Sequence, residues 1–216
     1  DSAAIAQAMA DAESMTMIPP YDDPAIIAGQ GTCVLEMLAD GPAFDALVVP
    51  VGGGGLFAGT CVAARDVAPD VELIGVQSEL YPAMVQATGR TTTTAPEAWG
   101  PTIAEGIGVK APGVLTTQII SALADDVTTV PEADIEQAVV WLLEIEKVMS
   151  EGAGAAPLAA LLHDPDRYAG RTVGLVLSGG NIDLRLLSSV IMRGLARTGR
   201  LCRLSIDVPD MPGALG

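Results

Sequence analysis

Aromatic residues are scarce in this chain, 3% of 216, and so are cations: 11 Lys and Arg face 27 Asp and Glu, for a formal charge of −16. So large an acidic excess excludes nucleic acid as a partner, because a polyphosphate is repelled over most of such a surface. There is one histidine, His163 in LLHDPDRYAG, and no G-x-S-x-G elbow, which sets aside a Ser-His hydrolase. The three widely spaced cysteines, Cys33, Cys61 and Cys202, form no C-x-x-C pair and with a single His supply no zinc ligand set. Their odd number and spacing are those of a reduced, cytoplasmic protein. No apolar run reaches the roughly 18 residues of a membrane span, and no signal-peptide pattern is found at the start.

What is abundant is small and apolar. Residues of the hydrophobic classes make up 50% of the chain, a balance suited to tightly packed α/β layers in one large domain or a domain plus a fragment. Charge is uneven along it. Residues 1–50 hold eight acids (Asp1, Asp11, Glu13, Asp22, Asp23, Glu36, Asp40, Asp45) and no Lys or Arg, whereas 185–203 hold five arginines and no acid. A polybasic tail for membrane or RNA is one reading of that second run. Arg193 and Arg197 stand one helical turn apart near a helix C-terminus, however, so a solvated helix face is the expectation.

Periodicity and punctuation sketch the organisation. A helix is predicted over 2–15, and a second from Pro24 to about Leu38 with Asp23 as its N-cap. A strand at 46–51, a helix from about 55 to 66 and a strand at 72–77 form a βαβ unit, whose sheet should be parallel and covered on both faces. A loop rich in Thr and Pro spans 91–102. Pro131 opens a helical stretch, EADIEQAVVWLLEIEKV, with apolar positions Ile135, Val139, Leu142, Leu143 and Ile145; a small-residue helix follows at 151–162. The strand TVGLVLS (172–178) then enters SGGN and a final helix.

The stretch LVVPVGGGGLFAGT, residues 47–60, carries the main signal, because it places four consecutive glycines between a strand and a helix. Glycine costs the chain conformational entropy, so such a run marks a place where the backbone must come close to something. Amides at a helix N-terminus are unpaired and partially positive, which makes them a cradle for phosphate. A second strand ends in glycines at 179–180, and ligands of open α/β sheets sit off the carboxyl ends of strands, so the two turns are expected to face one pocket. Gly53, Gly55 and Ala58 also satisfy G-x-G-x-x-A, with Glu79 past the next strand, so an NAD-binding Rossmann-like domain is a competing reading.

PYDDPAIIAGQGT (20–32), VPVGGGGL (49–56), TIAEG (102–106), SEGAGAA (150–156) and LSGGNID (177–183), in this order and spacing, resemble the C-terminal half of pyridoxal-phosphate-dependent threonine dehydratases and their relatives, the serine dehydratases and serine racemases. The match runs from about residue 1 to 195. It implies a three-layer α/β fold with a parallel sheet, the tryptophan-synthase-β-like fold type II of pyridoxal phosphate (PLP) enzymes, incomplete here. Residues 1–19 would be the end of the smaller domain and the crossover, and 20–198 the C-terminal part of the large PLP-binding domain. In 199–216, RLCRLSIDVPDMPGALG from Arg200 resembles the opening of an α+β ACT-like regulatory domain, present only as its first strand.

The resemblance implies that Gly52, Gly53, Gly54, Gly55 and Leu56 hold the cofactor phosphate by backbone amides. Ser178 matches the serine that hydrogen-bonds the pyridine nitrogen; a neutral hydroxyl there does not force the ring to stay protonated, which suits β-elimination. Gly179 adjoins it. Glu151 either orders the pocket or, as an acid, stabilises the first turn of its helix. The implied activity is dehydration and deamination of L-threonine or L-serine by a homo-oligomeric enzyme, with a small amino-acid substrate and an amino-acid or nucleotide effector.

Two features depart from the pattern. The family's Schiff-base lysine lies in an S-x-K-x-R-G-A type motif, and neither Lys110 nor Lys147, the only lysines, fits it. No catalytic residue is therefore assigned to this chain, which reads as a piece of an enzyme or as a non-catalytic remnant. Where serine racemases place metal-binding carboxylates this chain has Gln77 and Ala83, so no metal is expected and the racemase reading is disfavoured.

Overall fold

The segment Ala46–Pro50 forms the first strand, β1, and every one of its residues is buried. The computed structural model describes residues 2–89, 99–205 and 207. Around β1 the elements are α1 (Ser2–Glu13), α2 (Pro24–Asp40), α3 (Gly55–Val67), β2 (Glu72–Ser78), α4 (Ala83–Ala87), α5 (Val114–Leu123) and β3 (Asp126–Val130). Then come α6 (Glu132–Trp141), α7 (Gly152–His163), α8 (Pro165–Tyr168), β4 (Val173–Leu175) and α9 (Leu184–Arg197).

The four strands run parallel in the order β3-β2-β1-β4. Alternate residues of β1 and β2 point into two separate cores, as the period of 2 requires. Ala46, Val48, Ile74 and Val76 pack with residues of α6, α7 and α9, whereas Leu47, Val49 and Leu73 pack with residues of α2, α3 and α5. The result is the expected three layers, a parallel sheet covered on both faces. Each fully buried Val, Leu or Ile contributes about 1.5–3 kcal/mol relative to exposure, so the strands are held mainly by these two cores.

Local chemistry accounts for most boundaries. The Asp23 carboxylate accepts from the amides of Ala25 and Ile26 at 2.8 and 3.3 Å, with Pro24 at the first helical position, as expected for α2. Asp183 caps α9 in the same way, accepting from Arg185 and Leu186 at 2.9 and 3.1 Å. Helices α2 and α3 meet backbone to backbone: a Cβ on Gly59 would stand 2.3 Å from the Ile27 carbonyl oxygen.

Four expectations are corrected. The stretch after Pro131 is not one helix, because α6 gives way to a π-helical turn at Leu142–Glu146 that ends at Lys147 in the left-handed region, φ 61°. A wider turn shifts the phase of the following side chains, and Ile145 is consequently 62% exposed rather than in the core. The last strand is shorter than 172–178: its ladder covers Val173–Leu175, with one further bond from Val176 N–H to the Val48 carbonyl. The arginines of α9 are not simply a solvated face. Arg193 at 2.7 Å and Arg197 both hold Glu136 of α6, whose side chain is 10% exposed, and Arg200 grips Glu144 through two 2.7 Å bonds. Finally, residues 201–205 of the ACT-like segment form no strand, since a lone strand has no partner to pair with. The rest of its strand-and-turn pattern, and most of the Thr- and Pro-rich loop, fall outside the described residues.

At the amino ends of the strands Arg167 bridges Glu72 of β2 and Asp126 of β3 at 2.8 and 2.6 Å, and Arg171 adds a 2.6 Å contact to Glu72. Burial pushes the Glu72 carboxyl up, but the hydrogen bonds and charges of Arg167 and Arg171 outweigh it and hold it below its ordinary value. A depressed carboxyl contributes fully above its unfolded value of about 4.3 and loses that contribution as pH falls through the folded value. Glu72→Gln should therefore cost about 1 kcal/mol at neutral pH and flatten the acid limb of the stability curve below about pH 5. Urea unfolding at a series of pH values checks this, and an unchanged acid limb would refute it.

Candidate functional site

β1 has β2 on one side, reached through α3, and β4 on the other, so the crevice between β1 and β4 is a topological switch point. The carboxyl ends of these two strands run into the two glycine turns. Together they open on one cleft of about 450 Å³ whose lining includes Gly52, Gly53, Gly54, Gly55, Leu56, Glu151 and Ser178. A larger, more open groove of about 910 Å³ lies at the opposite, amino ends of the strands, beside Asp45, Asp70 and Arg171. It is lined by the C-terminal ends of α2 and α3, whose dipoles disfavour an anion.

The glycine turn is crowded from three sides. Gly54 adopts φ 101°, a left-handed conformation that side chains rarely take, and it is the N-cap of α3. A Cβ on Gly53 would overlap the Tyr21 ring at 2.2 Å, and one on Gly52 would stand 3.0 Å from the Gly106 carbonyl oxygen. The turn is also held by its carbonyls: Gly53 C=O accepts from Gly113 N–H at 3.1 Å and from the Thr116 hydroxyl at 2.7 Å. Val51 N–H still donates along the sheet, to Val76 at 2.8 Å, and the next amide to find an acceptor among the described residues is Ala58, which donates to Gly54 at 2.8 Å. The amides in between, from Gly52 to Phe57, have no acceptor among the described residues, as the first amides of a helix do.

The motif YDDP, whose aspartate at 23 was expected only as a helix cap, proves to organise this turn. Tyr21 packs its ring on Gly53 and donates its hydroxyl to the Ala111 carbonyl at 3.2 Å. Asp22 accepts from Val114 N–H at 2.9 Å and Thr116 N–H at 3.1 Å, capping α5, while Asp23 caps α2. Three successive side chains thus fix the loop and two helices. The one signal of this in the sequence is the second aspartate before a helix-starting proline, which a single N-cap does not require.

Across the cleft, Glu151 is the N-cap residue of α7, yet its side chain caps no amide. It lies instead along the cleft wall, where a Cβ on Gly179 would meet its Oε1 at 2.2 Å. Gly179 does not itself line the cleft. Its carbonyl accepts from Glu151 N–H at 3.1 Å and from the Ser150 hydroxyl at 3.2 Å, which ties the second glycine turn to α7. Ser178 is exposed within the cleft. A further wall is formed by Gly106, the last residue of TIAEG, with Ile107 and Val109, which no sequence motif singled out; Pro20, Tyr21, Gln30, Pro50 and Ala153 complete the lining.

Neither lysine lines the cleft. Lys110 lies over the Trp99 ring at 6.0 Å, and Lys147 donates to the Glu144 carbonyl. Gln77 is fully buried, its Nε2 donating to the Val51 carbonyl at 3.2 Å and its Oε1 accepting from Met84 and Val85 at 2.9 and 3.0 Å. It caps α4 and anchors the residue just before the glycine turn.

A parallel α/β sheet with two glycine turns at its switch point is the architecture of fold type II pyridoxal-phosphate enzymes. The chain belongs to the family of pyridoxal-phosphate dependent enzymes, whose model matches residues 1–179. Among its relatives is the L-threonine ammonia-lyase of Thermotoga maritima, 43% identical over 198 residues, covering 92% of this chain and 49% of that protein. The L-threonine ammonia-lyase of Geobacter sulfurreducens is 45% identical over 199 residues, with the same two coverages, 92% and 49%. The structure of the processed form of threonine deaminase isoform 2 from Solanum lycopersicum superimposes with a TM-score of 0.78 at 27% identity, covering 85% of this chain and 54% of that one. The chain spans about half the length of the curated relatives it matches. Family membership displaces the dinucleotide reading, for which the G-x-G-x-x-A pattern was a coincidence of the longer glycine run.

The cleft fits the family's cofactor. Among the described residues its lining carries no Lys or Arg, so an anion there would be held by amide dipoles, and the turn leaves no room for side chains. Gly53→Ala should destabilise the fold by about 1–3 kcal/mol through the Tyr21 ring. Combined with Tyr21→Ala the penalty should be non-additive by at least about 1 kcal/mol. Urea denaturation of the double-mutant cycle measures this, and strict additivity would show that the ring is not the obstacle.

Proposed function

We propose that this chain is the cofactor-cradling part of a threonine ammonia-lyase whose complete form converts L-threonine, or L-serine, to the 2-oxo acid and ammonia. The observation that carries the reading is that Gly52–Leu56, whose amides have no acceptor among the described residues, and Ser178 line one cleft. The amides of Gly52, Gly53, Gly54, Gly55 and Leu56 hold the phosphate, and the dipole of α3 adds to the attraction. The Ser178 hydroxyl would contact the pyridine nitrogen without forcing its protonation. Pyridoxal phosphate supplies an electron sink that lowers the barrier to removing the α-proton and losing the β-hydroxyl. Glu151 would shape the pocket edge beside α7, with Gly179 holding it from behind by accepting from its N–H. Gln77 and Ala83 provide no pair of carboxylates for a hard cation, which favours the dehydratase over the racemase.

An amine at the aldehyde is needed for turnover, and neither Lys110 nor Lys147 stands in the cleft. The 216 residues alone are therefore a binding unit rather than a complete catalyst. Its setting is a cytoplasmic homo-oligomer, with 199–216 the start of an ACT-like domain that answers to an amino-acid or nucleotide effector. No helix among the described residues is long and apolar enough to cross a membrane.

Equilibrium titration tests the assignment. Pyridoxal phosphate should bind about 100-fold more tightly than pyridoxal, since two or more charge-assisted bonds to the phosphate are at stake, and inorganic phosphate should compete. Gly53→Leu should abolish the difference. Borohydride reduction followed by peptide mapping should leave Lys110 and Lys147 without a stoichiometric adduct. Equal affinity for the two ligands, or an adduct on either lysine, would overturn the reading.

A further inference from the structure

Glu132 is the first residue of α6 and lies outside the cleft lining, yet its carboxylate accepts from groups on two other segments. Oε1 accepts from the Ser78 hydroxyl and the Thr102 hydroxyl, both at 2.6 Å, and Oε2 accepts from Ile103 N–H at 2.9 Å. The donors belong to the end of β2 and to the segment that becomes the second cleft wall. Hydrogen bonds to an ionised carboxylate are short and about twice as strong as neutral ones, and the N-terminus of α6 favours the charge.

The bonds continue into the cleft. Thr102 Oγ1, while donating to Glu132, accepts from Ala104 N–H at 3.0 Å. Ala104 C=O then accepts from Ile107 N–H at 3.0 Å, closing the 3₁₀ turn Glu105–Ile107. That turn presents Gly106 and Ile107 to the glycine turn, within 3.0 and 3.1 Å of where a Cβ on Gly52 would stand. On its other side the Ile103 carbonyl oxygen lies 2.3 Å from where a Cβ on Gly152 would be, against the first residue of α7 next to Glu151. Residues 102–107 are otherwise irregular, with no strand pairing to hold them.

We propose that Glu132 is a positioning residue for the cofactor cleft: its carboxylate clamps the end of β2 to residues 102–103 and so sets the spacing between the 106–107 wall and the phosphate-binding turn. The proposal rests on the cleft reading above. An amide replaces the carboxylate only at a cost: Gln can turn its carbonyl to Ile103 N–H and its NH₂ to the Ser78 and Thr102 hydroxyls, but this exchanges charge-assisted bonds for neutral ones and leaves both hydroxyl protons without their acceptor.

The test compares wild type with Glu132→Gln and Thr102→Val, reading amide hydrogen exchange by segment and pyridoxal phosphate affinity by titration. Exchange over 102–109 is expected to rise about tenfold in Glu132→Gln, while β1 and α3 keep their protection, and the dissociation constant for pyridoxal phosphate to rise by a similar factor. Thr102→Val, which removes one of the three donors, should give a smaller change of the same pattern. Unchanged exchange over 102–109, an equal rise across the whole sheet, or a loosened wall with unaltered affinity would each overturn the proposal. Failure of the wild-type chain to bind pyridoxal phosphate would defeat the cofactor reading alone, and the exchange pattern then decides the clamp.

Discussion

A cradle made of amides works only if nothing stands between the amides and the ligand, and the turn at Gly52–Gly55 satisfies this while pressed from three directions. Tyr21 lies on Gly53, Met84 and Thr116 sit behind Gly54, and the 106–107 wall faces Gly52. Any Cβ would have to displace one of them. The turn is a packing junction, and the anion site proposed for it calls for the same residue. This explains why four glycines stand where a bare strand-to-helix turn needs fewer.

The electrostatics follow from the same geometry. A chain with formal charge −16 is an unpromising host for an anion if only net charge is counted. Acids distributed over the surface are screened beyond a Debye length of about 8 Å at physiological salt, whereas the amides of the turn act at hydrogen-bond distance and gain from the dipole of α3. Local field outweighs net charge, and no basic side chain is required. The arginines are spent elsewhere. Arg167 and Arg171 gather the amino ends of β2 and β3, and Arg193 and Arg197 fasten α9 to Glu136 of α6.

The ends of β2 and β1 transmit that order to the site. Gln77 joins the residue before the glycine turn to the start of α4, and Ser78 reaches Glu132 at the start of α6. Two adjacent, buried polar residues therefore serve the two walls of one cleft. Each has its hydrogen-bonding groups engaged, as burial demands. A position that in a racemase would carry a metal ligand here carries an amide that makes three bonds of its own.

Much of this was legible in the residues alone, because it depends on local rules. The apolar run of β1, the Asp23-Pro24 start of α2, the glycines after β1 and β4 and the Asp183 start of α9 are each set by backbone sterics, capping or burial of a single element. The resemblance of five ordered motifs then supplied the cofactor. Only the tertiary structure decided what those motifs touch: that Tyr21 lies on Gly53, that Glu151 turns along the cleft rather than capping α7, that Arg193 and Arg197 clasp a nearly buried Glu136, and that a π-helical turn moves Ile145 into solvent. The π-helical turn is a local break that hydrophobic periodicity does not register, and the physical reason is common to the other three. Periodicity and caps report interactions within a few residues, whereas these contacts join segments dozens of residues apart, whose meeting depends on how two helical layers settle on one sheet.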